Sequence, residues 1–244
     1  MNLLFFDQLG STNDKALELL GQGCPEGTVV AARRQTSGRG QQNVRWESAP
    51  GLNLTFSIAL YPSFLPVERM FYLSKIVSLG IAGYLRRAGV SAAIKWPNDI
   101  YAGDEKICGI LIEQSICGDR IAQSVVGVGV NVNQRQFACA ANATSMLLCD
   151  GKTRDVRREL EVLAGDILER YEALRKAVSE QALAAVDRRY AALLYRRCGL
   201  FPYRCGGKTF MASIAAVQPG GELVLQLPDG TQRSFGFKEV EFVR

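Results

Sequence analysis

The chain is 244 residues long, with 29 lysines and arginines against 24 aspartates and glutamates, a net charge of +5. Hydrophobic residues make up 48% and charged residues 22%. This is an ordinary globular composition, able to bury roughly 70–75% of its unfolded surface without staples. Histidine is absent, which excludes every Ser-His-Asp triad, every Cys-His dyad and every His-ligated metal site.

Seven cysteines (24, 108, 117, 139, 149, 198 and 205) are dispersed without a C-x-x-C pair. Such a set argues for a reducing compartment and for thiols acting as small buried hydrophobes. The apolar run from Asn2 to Phe6 ends at Asp7, too short for a signal sequence. No stretch reaches the ~18 apolar residues of a membrane span. The expectation is a soluble cytoplasmic protein with no membrane partner. A charge of +5 is too small to argue for nucleic acid by itself.

In chain order, Ser11-Thr12-Asn13-Asp14 ahead of Ala16, Leu17 and Leu20 predicts a capped helix start. Thr28 to Ala32 reads as a strand that runs into a polar stretch, Arg33 to Trp46. Leu54, Phe56, Ile58 and Leu60 alternate with Asn53, Thr55, Ser57 and Ala59, the period of a half-buried strand. Val67, Met70, Phe71, Val77, Ile81, Tyr84, Leu85 and Ala88 fall on one helical face, opened by Pro66 and closed by Gly89. Ile94 to Tyr101, Ile107 to Ile116 and Ile121 to Asn131 predict three further strands, with turns at Gly103-Asp104-Glu105 and Gly118-Asp119. Two helices of mixed surface charge follow, Val156 to Val178 and Glu180 to Tyr195. After Gly199 the texture becomes all-β: Phe210 to Val217, Glu222 to Leu227, Gln232 to Phe237 and Val240 to Val243. A module of about 40 residues is near the lower limit for independent folding, so it should pack on the main body.

Two apparent motifs fail. Gly207-Lys208-Thr209 lacks the upstream glycine of a P-loop, since Pro202 stands there. Gly127-x-Gly129 and Gly38-x-Gly40 lack the third glycine of a dinucleotide fingerprint, with Val132 and Asn43 in its place.

Four segments could carry chemistry. Gln35 to Trp46 holds Arg39 and Arg45 beside Arg33 and Arg34, with no acidic residue from Gly27 to Trp46. Its composition suits an anion-binding loop and an ordinary exposed turn equally. Lys95-Trp96-Pro97-Asn98-Asp99 crowds a lysine, an amide and a carboxylate at a strand end, with Pro97 holding Trp96 extended; a lone Lys…Asp of this kind is usually a surface pair. Lys106 opens an otherwise apolar strand, as a snorkelling edge lysine also would. Gly127-Val128-Gly129-Val130-Asn131-Val132-Asn133 would admit a flat ligand or a tight strand crossing.

In this order and spacing the segments resemble the biotin–protein ligases, also called biotin–[acetyl-CoA-carboxylase] ligases. The matching residues are Ser11-Thr12-Asn13, the Gly38-Arg39-Gly40…Trp46 loop, Lys95 to Asp99, Lys106…Gly109-Ile110-Leu111, Gly127 to Asn133, and the ending Glu239-Val240-Glu241-Phe242-Val243. The resemblance implies an α+β fold: a central mixed sheet with flanking helices, like the class II aminoacyl-tRNA synthetase core, then a small C-terminal SH3-like barrel. The catalytic domain would be residues 1–198 and the barrel 199–244. It implies an enzyme that joins biotin to ATP as biotinyl-5′-adenylate, with Mg²⁺, and transfers biotin to a lysine of a biotin carboxyl carrier protein.

By the same resemblance Ser11, Thr12, Asn13 and Gln35 border biotin, with Gly40, Gln41 and Gly109 beside them. Arg39 and Lys106 reach the reacting carboxylate and α-phosphate. Trp46 closes the loop over the adenylate. Lys95, Asn98 and Asp99 match the triphosphate and Mg²⁺ region, Asp99 also orienting the acceptor lysine, and Asn131 lies near the adenylate. Fixed cations suit this chemistry without histidine. The loop departs from the family pattern at Asn43, in place of a glycine, and at Val44, in place of a polar residue. Ser11 stands ten residues from the start, so no DNA-binding helix-turn-helix and no DNA partner are expected. A homodimer through a sheet edge is left open. The competing readings are a lipoate-type protein ligase of related fold and a nucleic-acid-binding module using Arg33 to Arg45 as a phosphate stripe.

Overall fold

The computed structural model describes residues 1–41, 45–138, 140 and 142–243. The departures at Asn43 and Val44 lie outside the described residues. The first half of the chain runs β1 (Asn2–Leu9), α1 (Thr12–Gly21), β2 (Thr28–Gln35), β3 (Leu54–Leu60), α2 (Phe71–Arg87), β4 (Ala93–Lys95), β5 (Asp99–Ala102), β6 (Glu105–Cys117) and β7 (Arg120–Val130). These strands form one mixed sheet of seven, in the order β1-β2-β3-β7-β6-β5-β4. Only β1 and β2 pair in parallel, joined by the α1 crossover; the other pairs are antiparallel. The helices α3 (Met146–Asp150), α4 (Val156–Lys176) and α5 (Glu180–Ala192) follow.

β3 corrects one expectation. Its alternation predicted a half-buried strand, yet all seven residues are buried. Ala59 joins Ala16, Leu20, Val30 and Val125 in the layer under α1, while Phe56, Ile58 and Leu60 join the larger core on the opposite face. The polar residues Asn53, Thr55 and Ser57 therefore face partners rather than water. α2 is likewise buried on nearly every side, from Phe71 to Ala82 and at Tyr84 and Leu85. It lies between the sheet and the pair α4 and α5, so a single apolar stripe would not suffice.

The single strand expected over 94–101 is two strands in a tight hairpin, with residues 96–98 as its turn and a cis Trp96-Pro97 peptide. Pro97 has no N–H to donate to a ladder, so the strand breaks there. Between β5 and β6, and between β6 and β7, two-residue Gly-Asp turns close the hairpins, with Gly103 and Gly118 both at φ +60°. β1 and α3 had no counterpart in the sequence reading. The cysteine expectation holds at Cys108, which is buried, but Cys117, Cys149 and Cys198 are exposed.

The C-terminal strands are β8 (Phe201–Cys205), β9 (Lys208–Val217), β10 (Leu223–Gln226), β11 (Gln232–Phe235) and β12 (Glu241–Phe242). They make an antiparallel sheet in the order β11-β10-β9-β8-β12. As expected, this sheet packs on the main body: Tyr203, Ala212, Leu223, Leu225, Phe235 and Val240 belong to the same continuous core. A buried cation helps fix it there. Lys75 of α2 donates to Asp187 Oδ1 (2.7 Å) and to the carbonyls of Val217 (3.0 Å) and Gln218 (3.3 Å). No helix among the described residues is long and apolar enough to cross a membrane.

Candidate active site

The site begins at the start of α1. Ser11 is extended (φ −146°) and its hydroxyl accepts from the Asp14 N–H, which caps the helix. The cap turns Thr12 and Asn13 inward, and both are buried. At the end of β2, Gln35 Oε1 accepts from the Thr12 N–H (2.7 Å) and from its hydroxyl (3.1 Å). The Ser57 hydroxyl donates to Asn13 Oδ1 (2.6 Å) and lies 2.8 Å from Thr12 Oγ1. Asn13 Nδ2 in turn donates to Glu113 Oε2 at 2.6 Å. Side chains from α1, β2, β3 and β6 thus form one polar cluster, and its members Thr12, Asn13 and Gln35 border a pocket.

The loop after β2 folds back on itself. Trp46 N–H donates to the Gly38 carbonyl (3.0 Å), and Arg39 and Arg45 form an isolated antiparallel bridge. The Trp46 indole lies on the glycines of β6 and β7. A β-carbon at Gly109 would meet its ring at 2.9 Å, and one at Gly129 would come within 2.6 Å of Nε1. Gly127 gives the same clearance to Asn13, whose Cγ would be 2.9 Å from a β-carbon there. The glycine-rich strand does admit a flat group at close range, but that group is the chain's own tryptophan.

Lys106 follows the β5–β6 turn, and its backbone is clipped by hydrogen bonds to Asn142 and Thr144. Its ammonium lies 2.6 Å from Asp99 Oδ1 and 5.5 Å from the centre of the Trp46 ring. Arg39 reaches Asp14 (2.5 Å) and lies 3.6 Å from Glu113. Each cation is therefore held by carboxylates. Behind Lys106, the Cys108 thiol is fully buried; burial pushes its pKa well up, against a weaker opposing pull from Lys106. No thiolate nucleophile is available there at neutral pH.

Two cavities adjoin through Trp46 and Lys106. The inner one has about 50 Å³ free and is bordered by Ser11, Thr12, Asn13, Gln35, Arg39, Gly40, Gln41, Trp46, Asn98, Lys106 and Gly109, all singled out from the sequence. The outer one has about 510 Å³ free. It shares Gly40, Gln41, Trp46, Asn98 and Lys106 with the first and adds Asp99 and Asn131. Asn98 Nδ2 donates to the Ile110 carbonyl (2.9 Å) and Asn131 Nδ2 to the Thr144 carbonyl (2.9 Å). Among the described residues Asn131 Oδ1 is buried without a hydrogen-bond partner. Lys95 lines neither cavity; its ammonium lies over the rings of Tyr101 and Phe242.

Several site residues escaped the sequence reading. The sequence reading places Asp14 in the helix cap, does not single out Glu113, and puts Ser57 among the polar positions and Phe56 among the apolar positions of an alternating strand. Phe137, Asn142 and Ala143 border the outer cavity from a stretch with no recognisable pattern. For Ser57 one signal was available: three polar residues of the strand (Asn53, Thr55 and Ser57) share the parity of a face that the α1 helix covers.

Known proteins resemble this chain in sequence and in fold. The sequence profile of the Biotin/lipoate A/B protein ligase family matches residues 5–131. The bifunctional ligase/repressor BirA of Bacillus subtilis is 37% identical over 135 residues, covering 55% of this chain and 41% of that protein. The biotin–[acetyl-CoA-carboxylase] ligase of Mycobacterium tuberculosis is 32% identical over 147 residues, covering 57% and 53%. The chain thus spans about half or less of these curated relatives. The fold likeness extends further: the structure of an Aquifex aeolicus biotin protein ligase in complex with biotin and ATP superposes with a TM-score of 0.79 at 23% identity, covering 100% of this chain and 99% of that one. With the profile matching more than half of its length, through the residues that build the inner pocket from Ser11 to Gly129, the chain belongs to the biotin/lipoate A/B protein ligase family.

Proposed function

We propose that the chain activates biotin with ATP as biotinyl-5′-adenylate and passes it to one lysine of a biotin carboxyl carrier domain, the activity of a biotin–[acetyl-CoA-carboxylase] ligase. The observation that carries this reading is a polar pocket bordered by Arg39 and Lys106 that adjoins a larger outer cavity through Trp46 and Lys106. A ureido ring offers N–H donors and a carbonyl acceptor, which the Thr12, Asn13, Gln35 and Ser57 cluster can meet. The dithiolane of lipoate offers neither. The polar end therefore favours biotin over lipoate. Titration calorimetry tests this directly: biotin should bind and lipoate should not.

In this reading Ser11, Thr12, Asn13 and Gln35 hold the ring, and Gly40, Gln41 and Gly109 flank the acyl chain. Arg39 and Lys106 face the carboxylate and the α-phosphate, with Trp46, Asn98 and Asn131 on the nucleotide side. Asn131 Oδ1 fits a hydroxyl or amino donor of the nucleotide. A biotin carboxylate oxygen attacks the α-phosphorus, and the bond to pyrophosphate breaks. The fixed cations offset the charge that accumulates. An acceptor amine then attacks the acyl carbon, and AMP leaves. A free lysine is only ~0.04% neutral at pH 7, so the amine needs an orienting acceptor, a role assigned to Asp99.

Magnesium carried on the triphosphate asks for one or two carboxylates rather than a protein cage. Among the described residues Asp99 and Glu47 are the carboxylates that border the outer cavity, so the donor set fits a nucleotide-borne ion. The domain division is carried by the same reading, with residues 1–198 catalytic and 199–244 an SH3-like cap. A phosphate stripe along Arg33 to Arg45 has less support. Arg33 and Arg34 are neighbours on β2 and so point to opposite faces.

A further inference from the structure

Lys95 and Asp99 belong to one five-residue motif, but their side chains serve different parts of the molecule. They stand directly opposite each other in the β4–β5 register, and Tyr101 stands opposite Lys106. Asp99 pairs with Lys106 at the outer cavity. The Lys95 ammonium is 4.9 Å from the ring centre of Tyr101, a residue that borders the outer cavity, and 5.3 Å from that of Phe242 in β12. Trp96, 3% exposed, donates from Nε1 to the Gly221 carbonyl at 2.8 Å and packs 5.6 Å from the Phe237 ring. Gly221 sits at φ +108°, and a β-carbon there would meet the Phe71 ring at 2.8 Å, so only glycine presents its carbonyl at this point.

The β4–β5 hairpin has three paired positions; beyond them β5 pairs with β6 and Ile94 of β4 bridges Leu194. We propose that Lys95 and Trp96 are positioning residues that clamp this hairpin to the C-terminal sheet and thereby set the Asp99–Lys106 pair, Lys95 making no contact with the triphosphate. The proposal rests on the ligase reading for its kinetic consequence. Its structural half stands apart from that reading: the C-terminal sheet grips one side of the motif, and the other side faces the nucleotide cavity.

The test is a double-mutant cycle in the full chain with Lys95→Met and Phe242→Leu, scored by adenylate formation and by thermal unfolding. Each single variant should lower kcat about 3–10-fold while the KM for ATP stays within about twofold. The double variant should be no worse than the more damaging single, because the two residues share one contact. Lys95→Arg, which keeps a cation over the rings, should restore most of the kcat. Trp96→Phe, which loses the donor to Gly221 and part of the buried ring, should show the same kcat loss. A rise of about tenfold or more in the KM for ATP with Lys95→Met, and no effect of Phe242→Leu, would make Lys95 a phosphate ligand and overturn the proposal. Strictly additive effects, or wild-type kcat in both singles, would overturn it as well. If the unmodified chain forms no adenylate, the ligase reading fails instead. The clamp is then judged on midpoints alone: non-additive losses support it, and additive losses reject it.

Discussion

The Trp46 indole rests on the backbone of Gly129, where a β-carbon would come within 2.6 Å of its Nε1. Gly129 is thus a shelf that fixes how far the glycine loop can close. Gly129→Ala should push the indole off β7, cost about 1–3 kcal/mol by overpacking, and reduce adenylate formation about tenfold. Gly165→Ala is the matched control. It lies within α4, a β-carbon there meets nothing within 4 Å, and it should raise stability by about 0.5–1 kcal/mol with activity unchanged. Thermal unfolding and adenylate assays on the two variants check both.

Glu113 ties Asn13 to Arg39, accepting from one at 2.6 Å and lying 3.6 Å from the other. Glu113→Ala should raise the KM for biotin about tenfold and leave the KM for ATP within about twofold, because Asn13 loses the partner that orients its amide. Glu113→Gln should have a smaller effect, since the amide oxygen still accepts. Steady-state kinetics decide; an equal rise in both KM values would point to a general disturbance of the fold.

Much of this site was legible before any coordinates. Ser11 announced itself as a cap, and the Gly38 to Trp46 loop, Lys106 and the β7 glycines, each ambiguous alone, stood out together through their resemblance to a known ligase family. Glu113 and Ser57 did not, because their roles depend on which strands become neighbours. Sequence periodicity tells a strand from a helix, but not that α1 will cover one face of β3 and turn its polar positions into a network. Lys95 misled for a related reason. Its place in the motif suggested the cavity, while the partner that claims its ammonium, Phe242, lies 147 residues away in the chain. β8 (Phe201–Cys205) went unnoticed because Pro202 interrupts its strand-like composition.

Cys108 makes alkaline stability predictable. Its folded pKa lies above the ordinary 9.0 because the thiol is buried. Above pH ~9 the unfolded chain loses this proton and the folded chain keeps it, so stability falls as pH rises. The loss from this one group should reach about 1.4 kcal/mol at pH 10. Cys108→Ala should be less stable at pH 7 but lose less than the parent between pH 8.5 and 10. Denaturant unfolding at the two pH values measures the difference; identical slopes would mean that the thiol does not contribute.

Asp99 separates the two half-reactions. Asp99→Asn keeps the shape of the side chain but removes the charge that faces Lys106 at 2.6 Å. Transfer from preformed biotinyl-adenylate to a carrier domain should slow about 10²-fold, the scale of a lost general base or orienting group. Unimpaired transfer would remove Asp99 from the second step.

The most direct test concerns the cation between the two cavities. The unmodified chain and Lys106→Ala are each incubated with biotin, ATP and Mg²⁺, and biotinyl-5′-adenylate and pyrophosphate are quantified by mass spectrometry and a coupled assay. The account predicts adenylate from the unmodified chain and a loss of about 10²–10³-fold in Lys106→Ala, with cooperative unfolding retained. No adenylate from the unmodified chain, or undiminished pyrophosphate release from the variant, would contradict it.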